Sequence, residues 1–268
     1  MNIPNTYMLK VGNLAVDRLR LLDEIYGPYS HEFLLKMGLK SNAQILEVGC
    51  GTGNTTCWMA KHISPKGKVL GIDFSAEQIE VAKQQAQEQK LKNIEFMVLK
   101  VADLHEIKTE FDLVFCRFFL MHLNEPVQAL QKMYERLRPK GILACDEQCF
   151  GAARCYPDSK AFNNLKDLVY TVSRSKGLDY DFGLKLYFEF KKLNLQHIHV
   201  QTVQPILLTE TQKSLWTMFL QETKEVFLSS KIITQTAWDN MMAELEDHVH
   251  SENYYFLSVQ NLQTWAVK

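Results

Sequence analysis

The chain has 268 residues, 46% of them hydrophobic and 23% charged, and a formal net charge of −1, as in an ordinary globular protein. This near-neutral charge lacks the strongly basic field typical of nucleic-acid-binding proteins, so it disfavours a nucleic-acid substrate without excluding one. No apolar run reaches the roughly 18 residues of a membrane helix, and residues 1–10 lack the basic and apolar pattern of a signal peptide. We therefore expect a cytoplasmic protein without a membrane span.

The six cysteines lie at positions 50, 57, 116, 145, 149 and 155, and no two of them form a C-x-x-C pair. Zinc sites usually carry closely paired ligands, so this spacing does not indicate a metal site. A buried cysteine behaves as a small hydrophobic residue. We expect reduced thiols rather than disulfides, and no bound metal.

The N-terminal segment, residues 7–40, predicts two helices. Apolar residues recur at helical spacing at positions 16, 19, 22 and 25, and again at 33, 34 and 37. Gly27-Pro28 is expected to separate the two helices, and Gly38 to end the second. Residues 1–40 are thus predicted to be a helical unit that precedes the first strand.

The most informative stretch is E-V-G-C-G-T-G, residues 47–53. Residues 45–48 predict a short buried strand, the three glycines a tight turn, and residues 55–63 a helix. A second strand, residues 68–72, ends at Asp73. A strand, a glycine-rich turn and a helix N-terminus form the nucleotide cradle of a doubly wound sheet, in which a carboxylate about 20 residues further on usually binds a ribose hydroxyl.

Two kinds of ligand use such a cradle, and the local charge separates them. A dinucleotide prefers G-x-G-x-x-G, whereas the spacing here is G-x-G-x-G, and Glu47 would repel a pyrophosphate. S-adenosylmethionine (SAM) carries a sulfonium and an ammonium and no phosphate, so an acidic residue favours it. The motif with Asp73 resembles the first two motifs of class I SAM-dependent methyltransferases, and a dehydrogenase fits poorly.

This resemblance covers residues 41–150 and implies a Rossmann-like, doubly wound α/β sheet of seven strands with SAM as cofactor. It implies cofactor contacts along the carboxyl ends of the first four strands, with Asp103 on the adenine amino group. These residues are Glu47, Gly49, Cys50, Gly51, Gly53, Asp73, Phe74, Ala102, Asp103, Leu104, Cys116 and Arg117. It also implies that the N-terminal helices cover the cofactor, where Tyr7, Arg18 and Tyr29 either contact SAM or serve as surface and packing residues.

Catalytic residues are harder to assign from the sequence. Methyl transfer from a sulfonium is an in-line displacement, in which the protein mainly aligns the reacting groups and excludes water. A base is needed only when the nucleophile must lose a proton. His122, just past the fourth strand, is a weak candidate for that base, with packing as the commoner role. The fifth strand is predicted over residues 142–146. Glu147, beside Gln148 at the end of that strand, is a second weak candidate that either binds the acceptor or lies in a solvated loop.

Residues 151–268 predict a helical substrate cap together with the last strands of the same sheet. Helical patterns cover residues 159–175, 182–193, 210–228 and 236–250, whereas residues 196–203 and the segment 254–267 are typical of strands. We expect the aromatic residues of this region either to line an acceptor pocket or to pack in the core of the cap. They are Tyr170, Tyr187, Phe188, Trp216, Phe219, Tyr254 and Tyr255. The N-terminal helices and this cap are expected to form a roof over the site.

The functional hypothesis from sequence is a SAM-dependent methyltransferase that acts on a small-molecule acceptor. The near-neutral charge and the helical cap favour this over a protein or RNA methyltransferase. A SAM-binding protein without catalysis is a further alternative, since intact binding motifs do not establish turnover. Neither the acceptor atom nor the oligomeric state can be predicted from these patterns.

Overall fold

The computed structural model describes residues 8–9 and 15–268, which form one large sheet with helices on both faces and a smaller sheet beside it. The strands are β1 Gln44–Val48, β2 Lys68–Asp73, β3 Ile94–Val98, β4 Phe111–Arg117, β5 Leu137–Cys149, β6 Arg154–Tyr156, β7 Gln196–Val203, β8 Ile206–Leu207, β9 Tyr255–Leu257 and β10 Gln260–Val267. The helices are α1 Val16–Leu35, α2 Asn54–His62, α3 Ala76–Glu88, α4 Pro126–Glu135, α5 Lys160–Ser175, α6 Leu186–Lys192, α7 Glu210–Ser229 and α8 Gln235–His250.

The main sheet has the strand order β3-β2-β1-β4-β5-β10-β7. The pairs from β3 to β5 are parallel, whereas β10 runs antiparallel to both β5 and β7. The strand order reverses between β1 and β4, and ligands of open α/β sheets bind at such a reversal, outside the carboxyl ends of the strands. The predicted seven-stranded Rossmann-like sheet is confirmed.

Both faces of the central strands are apolar, as is typical of parallel strands covered by helices. Along β1, Ile45 packs in a cluster with residues of α1 and α2, whereas Leu46 and Val48 pack on the opposite face with residues of α4 and α6. All three side chains are at most 1% exposed. This alternation fixes the strand register, because a slip of one residue would move each apolar side chain to the opposite face.

A third apolar cluster lies beyond the carboxyl edge of the sheet. It joins α5, α7, α8 and a small sheet of order β6-β9-β8, which together we call the roof. The N-terminal half of α1 also packs in this cluster, through Leu21, Ile25 and Tyr26. The hydroxyl of Tyr26 hydrogen-bonds to Oγ of Ser258 at 2.7 Å and to the carbonyl of Val259 at 2.9 Å. Residues far apart in the chain thus close over one edge of the sheet.

The prediction that Gly27-Pro28 separates two helices was wrong. Helix α1 is continuous from Val16 to Leu35 and contains Pro28 in its interior. A proline removes one backbone hydrogen bond from a helix. Tyr26 and Phe33, on either side of it, are both fully buried, so packing on the roof and on the sheet overrides the local helix-breaking tendency.

Strand β5 is longer than the pattern predicted, and this changes the setting of Glu147 and Gln148. It begins at Leu137. Its pairing with β4 is irregular between Phe111 and Leu113, where β5 contains Lys140 with a φ of 66°. It then continues to Cys149, paired with β10. Glu147 and Gln148 therefore lie buried inside a strand, so of the two alternatives for this pair the solvated loop was wrong.

Among residues 8–9 and 15–268, none of the helices combines the length and the hydropathy of a membrane-spanning segment.

Candidate functional site

A cavity of about 550 Å³ opens at the carboxyl ends of β1, β2 and β4. One side is formed by the glycine turn after β1, by Asp73 and Phe74 at the end of β2, and by residues 99–102 after β3. The other side is formed by α1, α7 and the segment 117–125 after β4. The cavity is therefore continuous from the predicted cofactor cradle to the roof.

The glycine turn needs its glycines for two different reasons. Gly49 and Gly51 have φ values of 71° and 53°, in the left-handed region that side chains disfavour. A Cβ on Gly49 would also collide with the ring of Phe119. The amides of Gly49 and Cys50 donate to the carbonyl of Ile72 at 2.8 and 2.9 Å, which ties the turn to β2. The turn is thus held in place before any ligand binds.

Asp73 ends β2 and points its carboxylate at the turn. Its Oδ2 accepts from the amide of Gly51 at 3.1 Å, and its Oδ1 accepts from the amide of Ser75 at 2.9 Å. The side chain lines the cavity and is 8% exposed. Burial raises the pKa of this carboxyl group, against the lowering effect of the backbone amides. Each carboxylate oxygen has lone pairs left to accept hydroxyl groups of a ligand.

Glu47 supplies a second carboxyl group to the same wall. Its Oε2 accepts from Oγ1 of Thr56 at 2.5 Å, and the residue lines the cavity although it is 3% exposed. Burial raises its pKa to about 7. A cation in the cavity would favour the ionised form, so this carboxyl group favours a positively charged ligand over a phosphate.

Gln78, on α3, adds an acceptor to the wall that sequence reasoning missed. Its Oε1 is buried and has no hydrogen-bond partner among the described residues, and it would lie 3.3 Å from a Cβ on Gly51. Buried polar atoms are usually paired, so this oxygen fits a ligand donor. Two carboxyl groups, a free amide oxygen and a preformed glycine turn together match the hydroxyl and ammonium groups of SAM.

Arg117, at the end of β4, lines the cavity but is already paired. Its Nη2 donates to Asp23 at 2.6 Å and its Nη1 donates to Ser30 Oγ at 3.3 Å. Ser30 in turn donates to the buried carboxylate of Asp146 at 2.7 Å. Arg117 therefore links β4 and α1 and sets the position of the helix against the cofactor side of the cavity.

The cavity brings together eight of the predicted cofactor residues: Glu47, Gly49, Cys50, Gly51, Asp73, Phe74, Ala102 and Arg117. The structure places Gly53, Asp103, Leu104 and Cys116 outside its lining. Gly53 immediately precedes α2, and a Cβ there would collide with Ala82 and Phe96. Leu104 and Cys116 are fully buried in the core. Asp103 lies partly exposed beside the lining residue Ala102. The motif thus mixes lining residues with packing residues.

Glu147 is buried behind the cavity and does not line it. Its Oε1 accepts from the amides of Phe119 and Leu120 at 2.9 and 2.8 Å, and from Sγ of Cys116 at 3.5 Å. Burial raises its pKa to about 7. This carboxyl group therefore positions the segment after β4, while its neighbour Gln148 does line the cavity.

His122 lines the cavity and packs edge-on against Tyr180, with ring centroids 5.7 Å apart. Burial, with a smaller effect from the charge of Arg18, lowers its pKa to about 3. The imidazole is therefore neutral near pH 7 and only weakly basic. Such a group can orient a ligand, but it is a poor acceptor for a proton that leaves a nucleophile.

The acceptor side is lined largely by apolar residues. Trp216 and Phe219 of α7 line it together with Phe150 and Tyr180, and the last two were missed because each lies between predicted elements. The remaining aromatic residues proposed for the cap do not line it: Tyr170, Tyr187, Phe188, Tyr254 and Tyr255. Tyr29 is 39% exposed and also lies off the lining, whereas Arg18 lines the cavity. Tyr7 lies outside the described residues.

Comparison with curated proteins gives relatives with a shared activity name. A demethylmenaquinone methyltransferase from Listeria welshimeri is 31% identical over 122 residues, 46% of this chain and 52% of that protein. One from Lactococcus lactis is 34% identical over 112 residues, 42% of this chain and 44% of that protein. This chain spans about half the length of these curated relatives.

Solved structures share the fold at low sequence identity. The mycolic acid cyclopropane synthase CmaA1, solved with S-adenosylhomocysteine (SAH) and CTAB, has a TM-score of 0.63 at 16% identity, covering 100% of this chain and 99% of that one. Coclaurine N-methyltransferase, bound to N-methylheliamine and SAH, has a TM-score of 0.54 at 15% identity, covering 94% of this chain and 72% of that one.

The match to a protein family is much longer than the match to either curated relative. Residues 39–263 match the family described as methyltransferase domain. They include the glycine turn, Asp73, six complete strands of the main sheet and the first half of β10. The chain therefore belongs to the methyltransferase-domain family, and the resemblance to class I SAM-dependent methyltransferases is confirmed.

Proposed function

We propose that this protein is a SAM-dependent methyltransferase that acts on a small, largely apolar acceptor. The observation that carries the proposal is the single cavity of about 550 Å³ that joins the glycine turn and Asp73 to the aromatic residues of α7. Ligand pockets for small molecules have volumes of roughly 300–1,000 Å³. A protein or RNA acceptor would need an open groove, whereas α1 and the roof cover this cavity.

The residues of the cofactor side have separable roles in this proposal. Asp73 accepts the ribose hydroxyls, Glu47 faces the positively charged end of the ligand, and Gln78 accepts a further donor. Residues 99–102 flank the adenine, and Asp103 at their rim is the acceptor for its amino group. When SAM is bound, it supplies an activated methyl group with a good leaving group.

The acceptor side excludes water and sets the line of approach. Phe150, Tyr180, Trp216 and Phe219 bound it with aromatic surface, and the loss of bulk water strengthens the electrostatic interactions inside. Glu147 holds Phe119 and Leu120, so the segment after β4 stays next to the glycine turn. We propose no catalytic base: His122 and Glu147 orient and position, and the reaction depends mainly on alignment.

The named relatives suggest which acceptors to test first. Two of them are demethylmenaquinone methyltransferases, so a reduced naphthoquinone is a reasonable first acceptor. The six cysteines are buried free thiols, which fits a cytoplasmic protein, and we propose that location. We also propose that neither nucleic acid nor a resident metal takes part.

The test is direct binding followed by transfer. Isothermal titration calorimetry should show binding of SAM and SAH and none of NAD. Methyl-labelled SAM should then label a small molecule in an organic extract, with a reduced demethylnaphthoquinone as the first defined acceptor. Tight NAD binding without SAM binding would overturn the proposal. Label found only in protein or RNA would favour a macromolecular acceptor, and SAM binding with no transfer to any fraction would favour the non-catalytic alternative.

A further inference from the structure

Arg18 is a buried cation in the wall of the cavity, on the side of the roof. It is 6% exposed, and its Nε donates to Oε1 of Glu222 at 2.8 Å. It makes no other hydrogen bond to a described residue. A guanidinium group carries five N–H donors, so the terminal nitrogens of Arg18 lack an acceptor in the part of the chain that the structure describes. Neither terminal nitrogen is among the buried unpaired atoms of the described residues, so both face the open space of the cavity, where an oxygen atom of a ligand can accept from them.

The surroundings of Arg18 limit what that ligand can be. Leu19, Leu22, Trp216 and Phe219 line the same side of the cavity and offer apolar surface. Glu222 lies behind Arg18, 8% exposed and outside the cavity lining. Its charge neutralises the guanidinium from the rear. Between α1 and α7 the ligand therefore meets apolar surface with the N–H donors of Arg18 set in it.

The net charge at this point is close to zero, and that argues against an anionic ligand. A carboxylate next to Arg18 would bring a second negative charge beside Glu222 into a site of low dielectric constant, where an uncompensated charge is costly. A neutral carbonyl or hydroxyl oxygen accepts the same N–H groups without that cost. Aromatic and aliphatic side chains around it favour a flat or extended apolar body.

We infer that Arg18 binds a neutral oxygen atom of the acceptor substrate, and that the substrate is an apolar ring or chain bearing a hydroxyl or carbonyl group. This inference rests on the proposed function and names the acceptor class for the same site. Arg18 is then a specificity residue that fixes the orientation of the acceptor. The cofactor's own carboxylate is the competing source of an oxygen atom, and the experiment separates the two.

The experiment uses the full chain and measures binding of four probes by calorimetry or by tryptophan fluorescence. The probes are 2-naphthol, 2-methylnaphthalene, SAH and 5′-methylthioadenosine, which lacks the amino-acid end of SAH. The test variant is Arg18→Met with Glu222→Leu, which removes the ion pair without leaving a buried charge. Thr223→Val is the matched control, because Thr223 is a buried neighbour on α7 whose hydroxyl bonds only within the helix.

The double variant should bind 2-naphthol about 10- to 100-fold more weakly, the loss expected for a hydrogen bond to a charged group. Its affinities for 2-methylnaphthalene and SAH should stay within about threefold of wild type, and Thr223→Val should match wild type throughout. Equal binding of the two naphthalenes by the wild-type protein, or no binding of either, overturns the inference. A loss of SAH affinity with 5′-methylthioadenosine unaffected assigns Arg18 to the cofactor and also overturns it. A wild-type protein that binds no SAH overturns the proposed function itself.

Discussion

The two sides of the cavity are built in different ways. On the cofactor side, the glycine turn is held by backbone hydrogen bonds to Ile72 and by the carboxylate of Asp73, all within one βαβ unit. On the acceptor side, the wall consists of side chains from α1, α7 and two connections, and Arg18 and Glu222 are 204 positions apart. The first side is fixed by local geometry, whereas the second exists only after the whole chain has packed.

This difference implies that the two sides can be disrupted separately. A change on the cofactor side should alter nucleotide affinity and leave binding of apolar molecules intact. A change on the acceptor side should do the reverse. A variant that damages both equally would show that the cavity behaves as one cooperative unit.

The largest effect is expected for Asp73→Ala. We expect SAH affinity to fall about 1,000-fold, because two ribose hydroxyls lose bonds to a charged group, each worth roughly 1.5–3 kcal/mol. Asp103→Ala should cost much less, since Asp103 is partly exposed and water competes for its bond. Calorimetry with SAH measures both. Wild-type affinity in Asp73→Ala would mean that the ribose is held elsewhere.

A pH-dependent effect on stability is expected from Glu147→Gln. Because the folded-state pKa of Glu147 is raised from 4.5 to about 7, its stabilising contribution is complete below pH 4.5 and is lost as the pH rises to about 7. The variant, which stays neutral, should therefore gain about 3 kcal/mol relative to wild type between these limits. Urea unfolding of both proteins from pH 4.5 to pH 8 measures the difference, and a constant difference would refute this assignment.

A moderate effect, confined to the acceptor side, is expected for Phe219→Ala. Removing about 50 Å² of apolar contact should weaken binding of 2-methylnaphthalene by roughly tenfold, with SAH affinity within about twofold of wild type. Fluorescence titration with both ligands checks the selectivity. A parallel loss of SAH affinity would contradict the separation of the two sides.

The smallest effect is expected for His122→Gln, assayed with the first acceptor that shows transfer. The pKa of His122 is lowered to about 3 by burial, so it is a weak base and its removal should reduce kcat less than tenfold. The glutamine keeps a hydrogen-bonding group at the same place. A loss of more than about a thousandfold at unchanged SAH affinity would instead indicate general-base catalysis.

The success of sequence reasoning follows the same division. The turn and Asp73 could be predicted because their spacing along the chain is typical of a nucleotide cradle, and the doubly wound sheet followed from the resemblance that this spacing carries. Leu104 and Gly53 were assigned to the cofactor because motif and packing residues are adjacent there. Only the hydrogen bonds of Glu147 show that it positions a loop. Pro28 was misinterpreted because burial on both sides of α1 outweighs a local preference.

The residues that complete the acceptor wall gave no comparable signal. Phe150 and Tyr180 lie in connections. On the cofactor side, Gln78 likewise looks like an ordinary residue in the first turn of a helix. Their roles depend on distances between segments, which periodicity does not encode. The aromatic residues of the cap were recognised as a group, but only the structure separates Trp216 and Phe219 from those that do not line the cavity.

The position of β10 has a consequence for biosynthesis. This strand lies between β5 and β7, and β7 pairs with no other described strand. During translation β7 is therefore made long before its partner, because residues 204–259 must emerge between them. An unpaired strand edge invites association with other chains. Exposed polar residues of β7, such as His197 and Thr202, would limit that hazard until residue 267 leaves the ribosome.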